Sequence, residues 1–282
     1  MMVEQNFTIN LVSNASMDVF PANTMARFTT LLPNKIELTG DWEVALLEMS
    51  WPGKVKNITN ASFTISRFDN ANRPLRPEHN RTIPAGFYPT VDTLMTKLFK
   101  TIYEHGEHDN IPVLWKVDPV SEKLEVLFTG QEPEDQFWIL FKSDDLSNTL
   151  GVTDAICGTV ESQRQKGFAA LGTYPVDLQG GRHTMFIYCD LVQNEILGDS
   201  QAALLRVIPL QENVVSTAAT CYRTFDKMQW KRVNKSNFQS ITINLCDESG
   251  QLMPFVSIGR TNITLSFRRR KKISSFGYSQ LL

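Results

Sequence analysis

The 282-residue sequence predicts an all-β protein, a single eight-stranded jelly roll (an antiparallel β-sandwich) with a large α+β insertion between its third and fourth strands. Three features lead there. Short segments with alternating apolar residues occupy both ends of the chain. A polar, proline-bearing stretch and one amphipathic helix interrupt them in the middle. Residues 184–209, TMFIYCDLVQNEILGDSQAALLRVIP, carry two apolar runs, Met185–Val192 and Ala203–Ile208, around a polar stretch with Gly198 and Asp199. Both runs read as strands covered on both faces.

In chain order, Phe7, Ile9 and Leu11 alternate with Thr8 and Asn10 in a first strand, and Ser13–Asn14–Ala15–Ser16 is a turn cluster. A second β stretch covers about Met25–Leu38, with an interruption expected at Pro33–Asn34. Trp42–Ser50 is the third strand, with Trp42, Val44 and Leu46 on one face and Ala45, Leu47 and Met49 on the other. Trp51–Pro52–Gly53 ends it, because proline cannot donate to a ladder and glycine admits a sharp turn. Residues 1–53 and 182–268 are thus expected to form one discontinuous jelly-roll domain.

Residues 54–181 are expected to form the insertion domain. Residues 68–86 are polar with three prolines and predict a long surface loop. In Val91–Glu104 the residues Val91, Leu94, Met95, Leu98, Phe99 and Ile102 form one apolar stripe at helical spacing. Thr90 caps this helix, Asp92 suits its N-terminal end and Gly106 can stop it. A hairpin follows over Val113–Val117 and Leu124–Phe128, then a strand Phe137–Phe141 and a short helix Ser143–Leu150 closed by Gly151. Thr153 to Gly181 reads as a weakly patterned connector. Strands resume at 184–192, 203–208, 221–230, 238–246 and 261–268; three strands before the insertion and five after it make eight.

Formal net charge is −2, which implies no global attraction to nucleic acid or membrane. No stretch approaches the roughly 20 apolar residues of a membrane-spanning helix. The opening MMVEQNFTINLVSNAS lacks the basic and apolar regions of a signal peptide. Cys157, Cys189, Cys221 and Cys246 are therefore expected as reduced core thiols, and the sequons at Asn6, Asn14, Asn57, Asn60, Asn80, Asn234 and Asn262 carry little meaning.

The search for chemistry is mostly negative. There is no G-x-S-x-G elbow, phosphate-cradling glycine loop or H-E-x-x-H pair. His105 and His108 flank Gly106, which ends the helix and leaves them as a polar helix exit rather than metal ligands. His79 and His183 lie in polar loops with no partner visible in the sequence, and Cys157–Gly158 lacks a second cysteine. Asp190, Glu195 and Asp199 are expected to cap turns or to pair with Arg206 rather than to do acid–base work. No catalytic residue, cofactor or metal ligand is assigned, and no enzyme is expected.

One charge feature is sharp: the run Arg268, Arg269, Arg270, Lys271 and Lys272, which opens a C-terminal tail over 269–282. Phosphate binding, nuclear import and a solvated chain end are all open to it. The tail ends ISSFGYSQLL, aromatic and apolar without a period, which suits a segment that orders on a neighbouring chain.

The stretches Ile187–Val192, Leu197–Gly198–Asp199 and Leu204–Pro209 resemble the minor capsid (penton) proteins of Polinton/Maverick elements, adintoviruses and their virophage relatives. Leu32–Pro33 through Ile36, Leu38, Gly40, Trp42–Leu46 and Pro52 are similar to that family's opening strands. Gly86–Phe87–Tyr88 with helix 91–104, and Leu146 to Leu150–Gly151, resemble its helix-bearing module. Phe238, Ile241, Ile243, Asp247, Gly250, Pro254–Phe255, Gly259 and Leu265–Phe267–Arg268 resemble its last strands. The resemblance implies a jelly-roll subunit of a homopentamer at the five-fold vertices of an icosahedral virion, in contact with a double jelly-roll major capsid protein. Synthesis in the host cytoplasm or nucleus goes with that. The basic tail is then expected to contact the capsid interior, genome DNA or a neighbouring subunit, and the insertion to meet a host receptor.

A β-sandwich module that binds carbohydrate or a receptor through the insertion is the competing expectation. Trp115 and Trp138 are its stacking candidates, although both lie in apolar strand contexts. A jelly-roll hydrolase would need convergent histidines or carboxylates that the sequence does not display.

Overall fold

A computed structural model describes residues 6–59, 61–68, 79–103, 113–128, 136–141, 144–153, 156–159, 170–210, 220–256 and 259–270. Its elements in chain order are β1 (Asn6–Val12), β2 (Arg27–Glu37) and β3 (Trp42–Pro52). They continue with β4 (Ala61–Phe68), β5 (His79–Ile83), α1 (Val91–Tyr103), β6 (Val113–Val117), β7 (Lys123–Phe128), β8 (Gln136–Phe141), α2 (Asp144–Leu150), β9 (Ile156–Thr159) and β10 (Ala170–Pro175). Last come β11 (Thr184–Cys189), β12 (Glu195–Leu197), β13 (Ser200–Ala202), β14 (Leu204–Pro209), β15 (Thr220–Thr224), β16 (Lys231–Arg232), β17 (Asn237–Cys246) and β18 (Asn262–Arg269). Contacts divide the chain into two compact units, Met1–Gly53 with Thr184–Leu282, and Lys54–His183.

The first unit holds two antiparallel sheets, one ordered β1-β18-β3-β15 with β16 also on β3, the other β14-β11-β17-β2. The first strand pairs with the last, Phe7 opposite Phe267 and Leu11 opposite Ile263, and the second with the one before last, Phe28 opposite Ile243. This first-to-last pairing makes the unit a jelly roll. Its core follows from alternation. Ile263, Leu265 and Phe267 of β18 and Ile241, Ile243 and Leu245 of β17 are buried, with Leu11 and Phe28. In β3 the consecutive residues Val44, Ala45 and Leu46 are all buried, so this strand is covered on both faces. Phe267 is stacked on Phe7 at 4.7 Å between ring centroids and lies 6.1 Å from Phe238. Cys189, Cys221 and Cys246 are buried, and burial pushes the Cys189 thiol up to about 12, which keeps it protonated and inert.

Three strands depart from expectation. β2 runs unbroken through Pro33–Asn34, because it is a sheet edge where a missing N–H costs no ladder bond. A register shift between Phe238 and Ser240 of β17, facing Ile36 and Leu31, absorbs the extra residues as a bulge. β11 stops at Cys189, where Val192 N–H turns back to the Cys189 carbonyl. β15 stops at Thr224 instead of continuing to residue 230; the chain then returns to β3 as β16, with Lys231 opposite Val44 and Arg232 opposite Glu43.

The second unit contains the sheets β10-β7-β6 and β5-β4-β8-β9 with helices α1 and α2. Its core joins Phe63 and Ile65 of β4, Leu94 and Leu98 of α1, Trp115 of β6, Leu124 and Val126 of β7, and Leu146 and Leu150 of α2. Thr90 caps α1: its hydroxyl oxygen accepts the Thr93 N–H at 3.2 Å and its carbonyl the Leu94 N–H. The expected surface loop 68–86 instead contains β5, paired with β4 through Arg81 opposite Phe63. The expected connector 153–181 contains β9 and β10. Glu104 and Gly106 lie outside the described residues.

Two local devices shape this unit. Gly151, after α2, has φ +67°, and a Cβ there would stand 2.1 Å from the Tyr174 carbonyl oxygen, so only glycine lets β10 close on α2. Asp145 accepts hydrogen bonds from the Thr59 amide at 2.9 Å, from the Thr59 hydroxyl and from the Arg182 guanidinium at 2.7 Å, joining the two ends of the insertion at α2. Burial pushes the Asp145 carboxyl up, but the Thr59 and Arg182 hydrogen bonds and the Arg182 charge outweigh it and hold it below the usual range. Asn57 is buried and exchanges hydrogen bonds of 2.9 Å with the Tyr88 backbone, so its sequon faces inward.

Candidate assembly interface

The basic run emerges where β18 leaves its sheet beside the start of β3. Pairing places Arg268 opposite Glu43 and Arg269 opposite Trp42. Arg268 uses both Nε and Nη2 on Glu43 Oε2, each at 2.8 Å, while its guanidinium lies 4.0 Å from the Trp230 ring centroid. Arg269 lies against Gly40, whose φ of +89° opens the turn between β2 and β3. Arg270 donates its N–H to the Asp41 carbonyl at 2.8 Å, and its Nε is 4.0 Å from Glu43 Oε1. Lys271, Lys272 and the rest of the tail lie outside the described residues.

Three residues absent from the sequence-based site belong here: Arg232, Lys235 and Trp230. β16 puts Arg232 on the other side of Glu43 from Arg268. Arg232, Lys235 and Arg270 line a cavity of about 380 Å³ with Asp41 and Trp42. Lys231–Arg232 and Lys235 are visible in sequence as a loose basic cluster, but only strand pairing brings them to the residue 268–270 segment.

The other sequence candidates disperse. Asp190 accepts the Thr242 N–H and pairs with Lys235, both at 2.8 Å, and Glu195 pairs with Lys231. The expected pairing with Arg206 does not form: Arg206 stacks on Phe225 at 3.9 Å and donates to the Lys227 carbonyl. Asp199 sits beside Gly198 in the β12–β13 turn. His183, for which no partner is visible in the sequence, contacts Gln179 at 3.0 Å and Asp177 at 3.2 Å. Trp115 is buried in the insertion core, whereas Trp138 on β8 is 41% exposed. His105 and His108 lie outside the described residues, as do the side chains of His79 and Cys157. Among the described residues no cluster of metal-ligating side chains occurs, and no helix is long and apolar enough to cross a membrane.

Among the described residues the two jelly-roll sheets end in unpaired edges, β1 and β15 in one, β14 and β2 in the other. Large apolar side chains stand exposed along them: Leu31 on β2, Val207 on β14 and Tyr222 on β15. Ile196, on the β12–β13 hairpin, is 81% exposed. Scattered singles of this kind are ordinary on a surface, but open edges and edge hydrophobes together are the material of strand-edge association.

A crystal structure of the mavirus penton protein superposes with a TM-score of 0.50 over 93% of this chain and 99% of that one, at 11% sequence identity. The chain has a penton-like jelly-roll fold. No family model and no curated protein matches the sequence. At this identity the likeness is one of fold and not of shared side chains, so the penton-like neighbour assigns no residue of the basic end.

Proposed function

We propose that the chain is the penton subunit of an icosahedral capsid, a structural protein that closes as a homopentamer at the five-fold vertices and meets a double jelly-roll major capsid protein there. The observation that carries this reading is coverage: the likeness to the mavirus penton protein extends over both units and nearly the whole of that chain. In a five-membered ring each subunit offers two different patches, so the contact is heterologous and closes by rotation. Each contact should bury about 1,000 Å² or more with an apolar centre. The open edges with Leu31, Val207 and Tyr222 supply apolar side chains for it. The tail 269–282 faces the capsid interior or a neighbouring capsid subunit, and the insertion is the part available to an attachment partner. Kinship with Polinton/Maverick, adintovirus and virophage penton proteins goes with this reading.

Co-expression with the major capsid protein tests it: full-length protein should co-sediment with particles, and deletion of 269–282 should impair assembly or genome retention. Particles that form normally and carry none of the full-length protein refute the vertex role; wild-type particles from the truncated protein refute the role of the tail. The half-exposed Trp138 favours one second reading, a glycan- or receptor-binding module. Glycan-array binding without ring formation selects that reading instead.

A further inference from the structure

We propose that the cavity beside β16 and the end of β18 is a phosphate-binding pocket that seats a backbone phosphate of a nucleic acid. The inference stands apart from the vertex role, because it rests on the charges of this one end. Most acids near it are already neutralised: Glu43 by Arg268, Asp190 by Lys235 and Glu195 by Lys231. Arg232 and Arg270 are exposed and line the cavity from chain segments far apart in sequence. Arg270 reaches Glu43 only at 4.0 Å, and among the described residues Arg232 has no ion-pair partner. Lys235 also lines the wall but is paired with Asp190, and Asp41 is the acid among the lining residues. Guanidinium forks on a concave wall match the tetrahedral oxygens of a phosphate.

The choice of a polymer over a lone anion comes from the chain's continuation. Arg270 at the cavity wall is followed directly in sequence by Lys271 and Lys272, so this stretch of chain carries more positive charge than a single carboxylate or free phosphate can use and suits an extended polyanion. With a net charge of −2 over the whole protein, attraction of nucleic acid must be local to such an end.

The test is fluorescence anisotropy of full-length protein with a short labelled DNA duplex, titrated at several salt concentrations, for wild type, R232A/R270A and K271A/K272A. Both arginines are exposed, so the variant should keep its fold and its oligomeric mass, which are checked on the same samples; a change in mass reports on the vertex reading and leaves the binding result separate. The R232A/R270A variant should bind about tenfold more weakly, and its slope of log affinity against log salt should fall by about two. Inorganic phosphate should compete only weakly and polyglutamate not at all. Any of three results overturns the proposal: no duplex binding at low salt, a loss confined to K271A/K272A, or displacement by polyglutamate as effective as by unlabelled duplex, which assigns the pocket to an acidic protein segment.

Discussion

The jelly roll and the insertion bury their sheets with different means. β2 and β3 run 11 residues each and β17 runs 10, with β2 paired to β17 and β3 to the last strand, β18. The insertion's strands run from four residues in β9 to eight in β4. What the short ladders lack is supplied by α1, by one glycine and by a few polar ties, Asn57 to Tyr88 and Asp145 to Thr59 and Arg182. Both units bury an apolar core, and the second adds to it a small number of single residues and charges that hold its elements together. Damage to the first should be a matter of volume removed. Damage to the second should be a matter of which residue is touched, and of pH.

The largest effect is expected in the jelly-roll core. Phe267→Ala empties a fully buried ring site between Phe7 and Phe238 and should cost about 3–5 kcal/mol, read as a lowered denaturation midpoint. Next, Gly151→Ala forces a Cβ against the Tyr174 carbonyl and should cost about 3 kcal/mol in the insertion alone. Hydrogen exchange checks that one: β10 and α2 should lose protection while β17 and β18 keep theirs. Equal loss in both units would erase the contrast.

Asp145→Asn should cost about 2 kcal/mol by weakening a largely buried, charge-assisted set of hydrogen bonds. The same group sets a pH dependence. Its folded pKa is lowered, so its contribution is fully present above the unfolded carboxylate value of about 4 and is lost as pH falls through the lower folded value. Acid titration followed by hydrogen exchange should thus loosen the insertion before the jelly roll, and D145N should remove that step. The smallest effect belongs to Arg268→Ala, about 1 kcal/mol from a half-exposed ion pair and a cation–π contact, seen as a small shift of the jelly-roll melt that shrinks at high salt.

The same contrast governs what the sequence discloses. β1, β17 and β18 are legible because one face is apolar and the other polar along their whole length, and α1 because Leu94, Met95 and Leu98 fall on one stripe. β5 is not, because Arg81 as well as Ile83 is buried in it. β10 hides in a different way: its buried position is Gly172, while Leu171 and Tyr174 are exposed. β4 alternates Phe63 and Ile65 with Thr64 and Ser66, but Thr64 and Ser66 are buried too, so its polarity does not report a half-exposed face as it does in β18. At the basic end, charge is legible and geometry is not. The run Arg268–Lys272 stands out in the sequence, yet the use of Arg268 on Glu43 and Trp230, and the approach of Arg232 and Lys235, depend on β3 pairing with both β16 and β18.

The most direct test of the capsid-vertex account is the native mass of the purified full-length protein at near-physiological salt. The account predicts a closed ring of five times the 32.0 kDa chain mass. A tight dimer or trimer would contradict it.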